Sequence, residues 1–407
     1  MVYLGVATSV SRAADAGRFN LRGLSVVSFA HGISDFFSGI VPFAIFLVLS
    51  RDHMSAAYQG ILVLLWYVTS SIVQPLFGAY SDRKGRWWFL PSAIGLSSLA
   101  ICIAGATTSI AVLAGCIVVG GFGSAIMHPE AGKYSAMLSG PKRASGISIF
   151  QIGGQVGYAL GPATIAVLYS HFGSNGSLLL LAPAALAVGT LFALMPRIDR
   201  SASRAHAAAH AQNPAAASGP VDRLGVGLLV TSTALRYFVS AAFMTYLPNL
   251  LVGRGSTIVE AGQIVTAFLL VSSLGLFAGG SLADRFGAVR VSIAALVGAV
   301  PFLFGFFYVP GAGGISLLLI ASVLLAVQNA PGVAIVQAML PRNLGMALGL
   351  MNGVAFGIGS ALVASIGFLV AGAGAAVALE SVAGAPLLAA LAYVAVARRL
   401  PENVHAA

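Results

Sequence analysis

Charge is scarce in this chain. Only 8% of its 407 residues are Asp, Glu, Lys or Arg, against 58% hydrophobic residues and a mean hydropathy of +0.94. Soluble domains carry about 25% charged residues, so a water-soluble globular fold is excluded. Cysteine is scarce as well: Cys102 and Cys116 both lie in apolar runs, where they read as packing residues, and no disulfide framework is implied. Long polar segments are almost missing. Residues 1–23 lack the basic flank, apolar stretch and small-residue cleavage site of a secretory signal, and read as a short cytoplasmic lead-in. The one long polar stretch, 197–223, holds His206 and His210 at i, i+4 with no carboxylate or thiol nearby, so it reads as a linker and no metal site is expected there.

What the chain has is apolar length. Runs fit to cross ~30 Å of hydrocarbon fall at 24–50, 58–80, 87–106, 109–137, 143–171, 176–196, 224–252, 258–282, 288–309, 314–335, 343–371 and 375–397. The expected fold is an all-α integral membrane protein of twelve helices, with 49 glycines to let helix backbones approach closely. The net charge of +10 resolves by position. Of the twenty-one Lys and Arg residues, only Arg51 and Arg254 fall in loops on one side, while Arg83, Lys84, Arg86, Lys133, Lys142, Arg143, Arg197, Arg285, Arg290, Arg342, Arg398 and Arg399 are among those on the other. That asymmetry places both termini in the cytoplasm and requires no nucleic-acid partner. Arg236 alone lies in no loop.

The chain repeats. "GAYSDRKGR" (Gly78 to Arg86) and "GSLADRFGA" (Gly280 to Ala288) align at an offset of 202 residues, which also superposes Pro129 on Pro331 and "AML" at 136 on "AML" at 338. Two like six-helix halves, 24–196 and 224–397, joined by the linker 197–223 and followed by a tail at 398–407, are the mark of a parallel-repeat secondary transporter with its substrate site between the halves near the midplane. Such a protein needs no cofactor.

Each repeated segment follows a "GxxxDRxG" pattern in a short cytoplasmic connection. Gly78, Gly85, Gly280 and Gly287 allow close contact, and Asp82 and Asp284, beside Arg83, Arg86 and Arg285, can meet helix N-termini or an arginine across the halves, as a latch would. The pattern resembles motif A of the major facilitator superfamily, which implies a cytoplasmic gate at these residues. "GGQVGYALGP" sets Gly153, Gly157 and Gly161 on one face of helix five, followed by Pro162. It resembles motif C of the antiporter branch, which implies tight packing of helices five and eight. Helix four carries "MHPE", with His128 and Glu130 around Pro129, and no arginine of the motif B type precedes it. Together with "HGISD" in helix one, "LRYF" in helix seven and "LGMALGLMNGVAFGIG" in helix eleven, the pattern is similar to the fosmidomycin-resistance family over essentially the whole chain. The resemblance implies export of a small phosphonate antibiotic in exchange for protons across a bacterial inner membrane.

Lipid tolerates ionisable side chains poorly, so Asp35 and His31, one turn apart in helix one, are functional candidates. Asp35 lies about eleven residues from the cytoplasmic start, roughly 16 Å at ~1.5 Å per residue and close to the midplane. Adding 202 reaches Tyr237, beside Arg236. The expected arrangement pairs Asp35 with Arg236 across the halves, protons passing by His31, His128 and Glu130 while an anion competes for Arg236. Gln151, Tyr237, Tyr246, Gln328 and Asn352 are the expected polar lining. A fixed salt bridge between Asp35 and Arg236 is the structural alternative, and an uptake symporter the functional one. A membrane enzyme is disfavoured: the chain has no paired His-Glu metal motif, P-loop or nucleophile with an assigned base. A channel lacks its continuous polar lining. The expected partners are protons, a small-molecule substrate and the bilayer, with the chain acting as a monomer.

Overall fold

The computed structural model of the chain describes residues 19–140, 142–210, 222–340 and 344–399, without the side chains of residues 82, 143, 144, 204–210, 344, 345, 348 and 352. Every described regular element is helical, as lipid demands of a spanning chain that must satisfy its own backbone hydrogen bonds. In the first half, α1 is Leu21–Arg51; α2 runs through Ala56–Tyr67, a π-turn at Val68–Ile72, and Gln74–Lys84; α3 is Phe89–Ala106, α4 Ile110–Leu138, α5 Arg143–Phe172 and α6 Leu181–His210. In the second, α7 is Arg223–Gly253, α8 Ile258–Phe286, α9 Ala288–Tyr308, and α10 Gly311–Val327 with Asn329–Met339. Helices α11 (344–373, with a π-turn at Leu350–Val354) and α12 (375–397) divide at Gly374, whose φ of 85° breaks the Val363–Val382 helix.

Among the described residues, ten helical stretches are long and apolar enough to cross a membrane, and two of them, Ser145–Ser203 and Ala355–Ala397, are far longer than one crossing needs. Gly173 (φ 60°) and Gly374 (φ 85°) divide these two, giving twelve crossings. The hydropathy spans agree with the helices to within a few residues except at the sixth. There α6 continues to His210, so the first part of the expected linker is helical; His206 and His210 lie outside the described side chains.

The 202-residue repeat reappears in the packing. A Cβ on Gly157 would come within 2.0 Å of the Gly32 carbonyl oxygen, and one on Gly359 within 2.2 Å of the Ala234 carbonyl oxygen. Both members of each pair differ by 202, so α1 on α5 and α7 on α11 are one contact built twice. The helix caps repeat too. Asn20 caps α1 by accepting from Gly23 N–H and donates to Ser201 Oγ of α6 at 2.9 Å. Its equivalent, Asp222, caps α7 at Gly225 N–H and accepts from Arg399 Nε at 2.9 Å beyond α12.

The halves touch chiefly in the part of the bundle away from the basic loops. Gln59 Nε2 of α2 donates to Thr245 O of α7 at 2.7 Å, and a Cβ on Gly60 would come within 2.8 Å of Ala364 O of α11. On the pseudo-symmetric side, Ala163 N–H of α5 donates to Thr266 Oγ1 of α8 at 3.0 Å and Gly262 lies against Pro162 and Ala166. Among the described residues, no hydrogen bond or ion pair joins the halves at the basic end. The bundle is sealed at one end and parted at the other.

Candidate functional site

The glycine stripe of α5 packs elsewhere than its motif implies. Gly153 faces Ser28, Gly157 faces Gly32, and Gly161 faces Phe36 and Ile40, all on α1 rather than α8. The α5–α8 seal exists, but it rests on Pro162, Ala163 and Ala166 against Gly262 and Thr266. A small-residue stripe specifies that some backbone approaches, without specifying whose. This close approach of α1 builds the site: Gly154 leaves room for the His31 ring, which a Cβ there would meet at 2.3 Å.

His31, Asp35 and His128 converge. Asp35 Oδ2 lies 3.1 Å from His31 Nε2, and Asp35 Oδ1 lies 3.1 Å from His128 Nε2, so α1 is tied to α4. Each imidazole is anchored behind. His31 Nδ1 donates to Phe150 O of α5 at 2.9 Å and its ring stacks on Phe150 with centroids 4.0 Å apart; His128 Nδ1 donates to Ser124 O at 2.9 Å. The three donor atoms lie within 4.8 Å of one another, a spacing a metal ion could use. Each carboxylate oxygen nevertheless engages its own imidazole, which is an arrangement of two separate hydrogen bonds rather than of ligands around one ion.

Arg236 stands apart from Asp35, contrary to the expected pair: among the described residues no carboxylate lies within ion-pair distance of its guanidinium. The repeat offset relates equivalent places in the two halves, and such places face each other across an axis without having to touch. Asp35 meanwhile has two histidines within its own half. Arg236 is only 4% exposed, lies 3.7 Å above the centre of the Tyr237 ring, and has no hydrogen-bond partner at Nε or Nη2. A buried cation whose donors are unfilled is costly.

The expected lining divides. Tyr237 is half-buried, within 3.5 Å of Asn329 Nδ2. Gln328 is fully buried and donates to Thr233 Oγ1 at 3.0 Å and Tyr393 OH at 2.8 Å, so it braces α7, α10 and α12 instead of lining a cavity. Tyr246 is fully buried in the seal, its hydroxyl aimed at Gly60 and Gly367, and is a closure residue. Gln151 is exposed, one turn toward the basic end from Gln155, and it is Gln155 that reaches the other half, donating to Leu269 O at 3.3 Å. The Asn352 side chain lies outside the described residues. Three aromatics unforeseen from sequence join the halves: Tyr67 and Tyr158 have hydroxyls 3.4 Å apart, and Phe356 meets both Tyr67 (5.4 Å between centroids) and Tyr237 (4.9 Å).

Glu130 leaves the proton cluster for the motif A segment. It is fully buried and accepts from Ser81 Oγ, while Lys133 Nζ lies 3.1 Å from it and 3.2 Å from Ser81 Oγ. Three consecutive residues of α4 thus reach different neighbours: His128 meets Asp35, Pro129 lies against Gly78, and Glu130 holds Ser81. Gly85 packs beneath Lys133, and Arg83 and Arg86 are exposed. The side chain of Asp82 lies outside the described residues. In the second copy, Gly280 lies against Ala330, Gly287 (φ 88°) turns α8 into α9, and Asp284 and Arg285 are exposed. Among the described residues neither copy makes a hydrogen bond or ion pair across the halves.

Two six-helix repeats, sealed at one end around buried ionisable groups at mid-bundle, define a membrane transporter. The Major Facilitator Superfamily model matches residues 27–362, and the chain belongs to that family. It is 27% identical over 408 residues to the fosmidomycin resistance protein of Escherichia coli (strain K12), covering 98% of this chain and 97% of that one. It is 29% identical over 387 residues to the uncharacterized MFS-type transporter YfnC of Bacillus subtilis (strain 168), covering 91% of each. Among solved structures, it resembles a bacterial homologue of the human lysosomal transporter Spinster in an inward-facing and occupied conformation, with a TM-score of 0.72, 16% identity and coverage of 93% and 96%. The nucleoside transporter NupG matches with a TM-score of 0.64, 16% identity and coverage of 92% and 98%.

Proposed function

We propose that this transporter is a proton-coupled antiporter that exports a small anionic compound of the phosphonate class, such as fosmidomycin, from a bacterial cytoplasm by alternating access. The observation that carries the reading is Arg236: a buried guanidinium with two unpartnered nitrogens, in the half opposite a protonatable Asp35–His31–His128 cluster. The likeness to a fosmidomycin resistance protein supports the cargo. With the basic loops in the cytoplasm, the sealed end is external and the conformation is inward-facing.

In this state an anion enters from the cytoplasm and fills the donors of Arg236, against the half-buried rings of Tyr237 and Phe356. Protons leave the Asp35 cluster to the same side. Rocking of the halves 24–196 and 224–397 then opens the external seal at Gly60, Tyr246, Gly262 and Thr266, where cargo leaves and protons return to Asp35. The proton gradient is the sole energy source, and no cofactor takes part. Glu130 and the two motif A copies set the cytoplasmic gate, which closes as cargo crosses.

The test uses purified protein in liposomes with a pH-sensitive dye inside and an imposed proton gradient. Fosmidomycin is expected to drive proton counterflow. Movement of both in one direction, or no proton movement, overturns the antiport reading.

A further inference from the structure

The Asp35 cluster fixes how many protons it holds. Each imidazole has its Nδ1 2.9 Å from a main-chain carbonyl oxygen, Phe150 O for His31 and Ser124 O for His128. A carbonyl oxygen only accepts, so both Nδ1 atoms carry hydrogen, and a neutral ring in that tautomer turns a bare lone pair toward Asp35 from Nε2. At 3.1 Å, lone pair against carboxylate oxygen is repulsive, and a proton on either atom makes the contact a charge-assisted hydrogen bond. There are two such contacts, and they use different oxygens of Asp35. One proton cannot serve both.

We infer that in this conformation the cluster holds two protons, one at each Asp35–histidine contact, and that one transport cycle therefore exchanges two protons for each cargo molecule. The inference rests on the antiport reading above for its second clause only. With both protons bound the three side chains sum to +1; with both released to water they sum to −1, and both contacts become repulsive. The cluster then opens on its freer side. His31 is held by the Phe150 stack with its side chain 5% exposed, whereas the His128 side chain is 27% exposed and precedes Pro129. The other ionisable group beside the cluster is Tyr158 of α5, which joins Tyr67 of α2; Tyr237 of α7 lies beyond Tyr158 across the halves with Arg236 over its ring, and Glu130 and Lys133 of α4 are turned to Ser81. None of these supplies a substitute proton to either contact. Moving two protons in and a phosphonate dianion out carries four charges per cycle, where a single proton would carry three.

The experiment finds the balance point of exchange. Liposomes holding the protein are set to zero membrane potential, at a pH high enough to keep the phosphonate fully ionised, and a tenfold phosphonate gradient is opposed by a pH gradient until net flux stops. Two protons per cargo balance it at about 0.5 pH unit, one proton at about 1. Wild type is expected at about half a unit and His128→Gln at about one; a wild-type value of one unit overturns the inference. If the phosphonate is not carried, the antiport reading fails, and ring-¹⁵N-labelled histidine spectra in lipid nanodiscs decide the proton count without cargo. The His128 ring is expected to carry hydrogen on both nitrogens in wild type and to lose the Nε2 hydrogen in Asp35→Asn. A His128 signal untouched by Asp35→Asn overturns the two-proton cluster.

Discussion

The two halves share a backbone plan and differ in chemistry. Gly157 on Gly32 and Gly359 on Ala234 are the same contact, and Gly78 and Gly280 face the same stretch of their half, Gly78 against Pro129 of α4 and Gly280 against Ala330, the residue before Pro331, of α10. At mid-bundle the likeness stops. The first half surrounds its acid with two anchored histidines, whereas the second leaves a buried cation with open donors. Duplication therefore preserved what close packing demands, and left the polar mid-helix positions free to diverge into a proton side and an anion side.

The largest expected effect comes from removing the proton side. Asp35→Asn is expected to lower proton-coupled transport by at least about 100-fold, some 2.7 kcal/mol on the rate scale, with an unaltered elution profile in detergent; full coupled activity would dissolve the division between the halves. Arg236→Met is expected to weaken phosphonate binding by roughly 10- to 100-fold, the loss of one or two charge-assisted hydrogen bonds. The same change is expected to leave the thermal unfolding midpoint unchanged or raised, because it removes an uncompensated buried charge. A fall in the midpoint with binding intact would make Arg236 a structural residue.

The shared plan has its own test. Gly157→Ala and Gly359→Ala place a methyl where a carbonyl oxygen lies 2.0 and 2.2 Å away, so both are expected to destabilise by about 1–3 kcal/mol of overpacking. Denaturation in mixed micelles reads the pair. Unequal losses would mean that the repeat is a likeness of sequence and not of packing.

The fold was legible because hydrocarbon thickness sets helix length, and eleven of twelve apolar runs mark their helices closely. The sixth escaped since "RIDRSASRAHAAAH" is polar and Ala-rich: hydropathy reads where lipid ends, while alanine propensity carries α6 on into water. His31 and Asp35 stood out because ionisable groups are costly in lipid. Their true partner was less visible, since His128 reaches Asp35 from another helix, a tertiary fact that no spacing encodes. The Asp35–Arg236 pair failed for the same reason, repeat arithmetic giving equivalence and not contact. Tyr67, Tyr158 and Phe356 were missed because an aromatic in an apolar helix looks like core until its neighbours are known.

The smallest expected effect lies where the halves use one device with different charge. Asn20 and Asp222, 202 residues apart, each cap the first helix of a half and hold the far end of its last helix. Asn20 is neutral and holds Ser201. Asp222 accepts from Arg399, and this ion pair, followed by the Gly225 N–H bond, holds its carboxyl below the usual carboxylate range. A folded-state value below the unfolded one gives stability that is present above the unfolded pKa of about 3.9 and lost as pH falls through the lowered value. The pair is solvent-exposed, so the effect is small. Thermal unfolding of wild type and Arg399→Ala between pH 6 and pH 3 is expected to show a slight difference at pH 6 that shrinks as the pH is lowered. For Asn20→Ala the difference from wild type is expected to stay constant over that range, because neither Asn20 nor Ser201 titrates there. A pH-dependent Asn20→Ala difference would mean that the first half also ties its ends by charge.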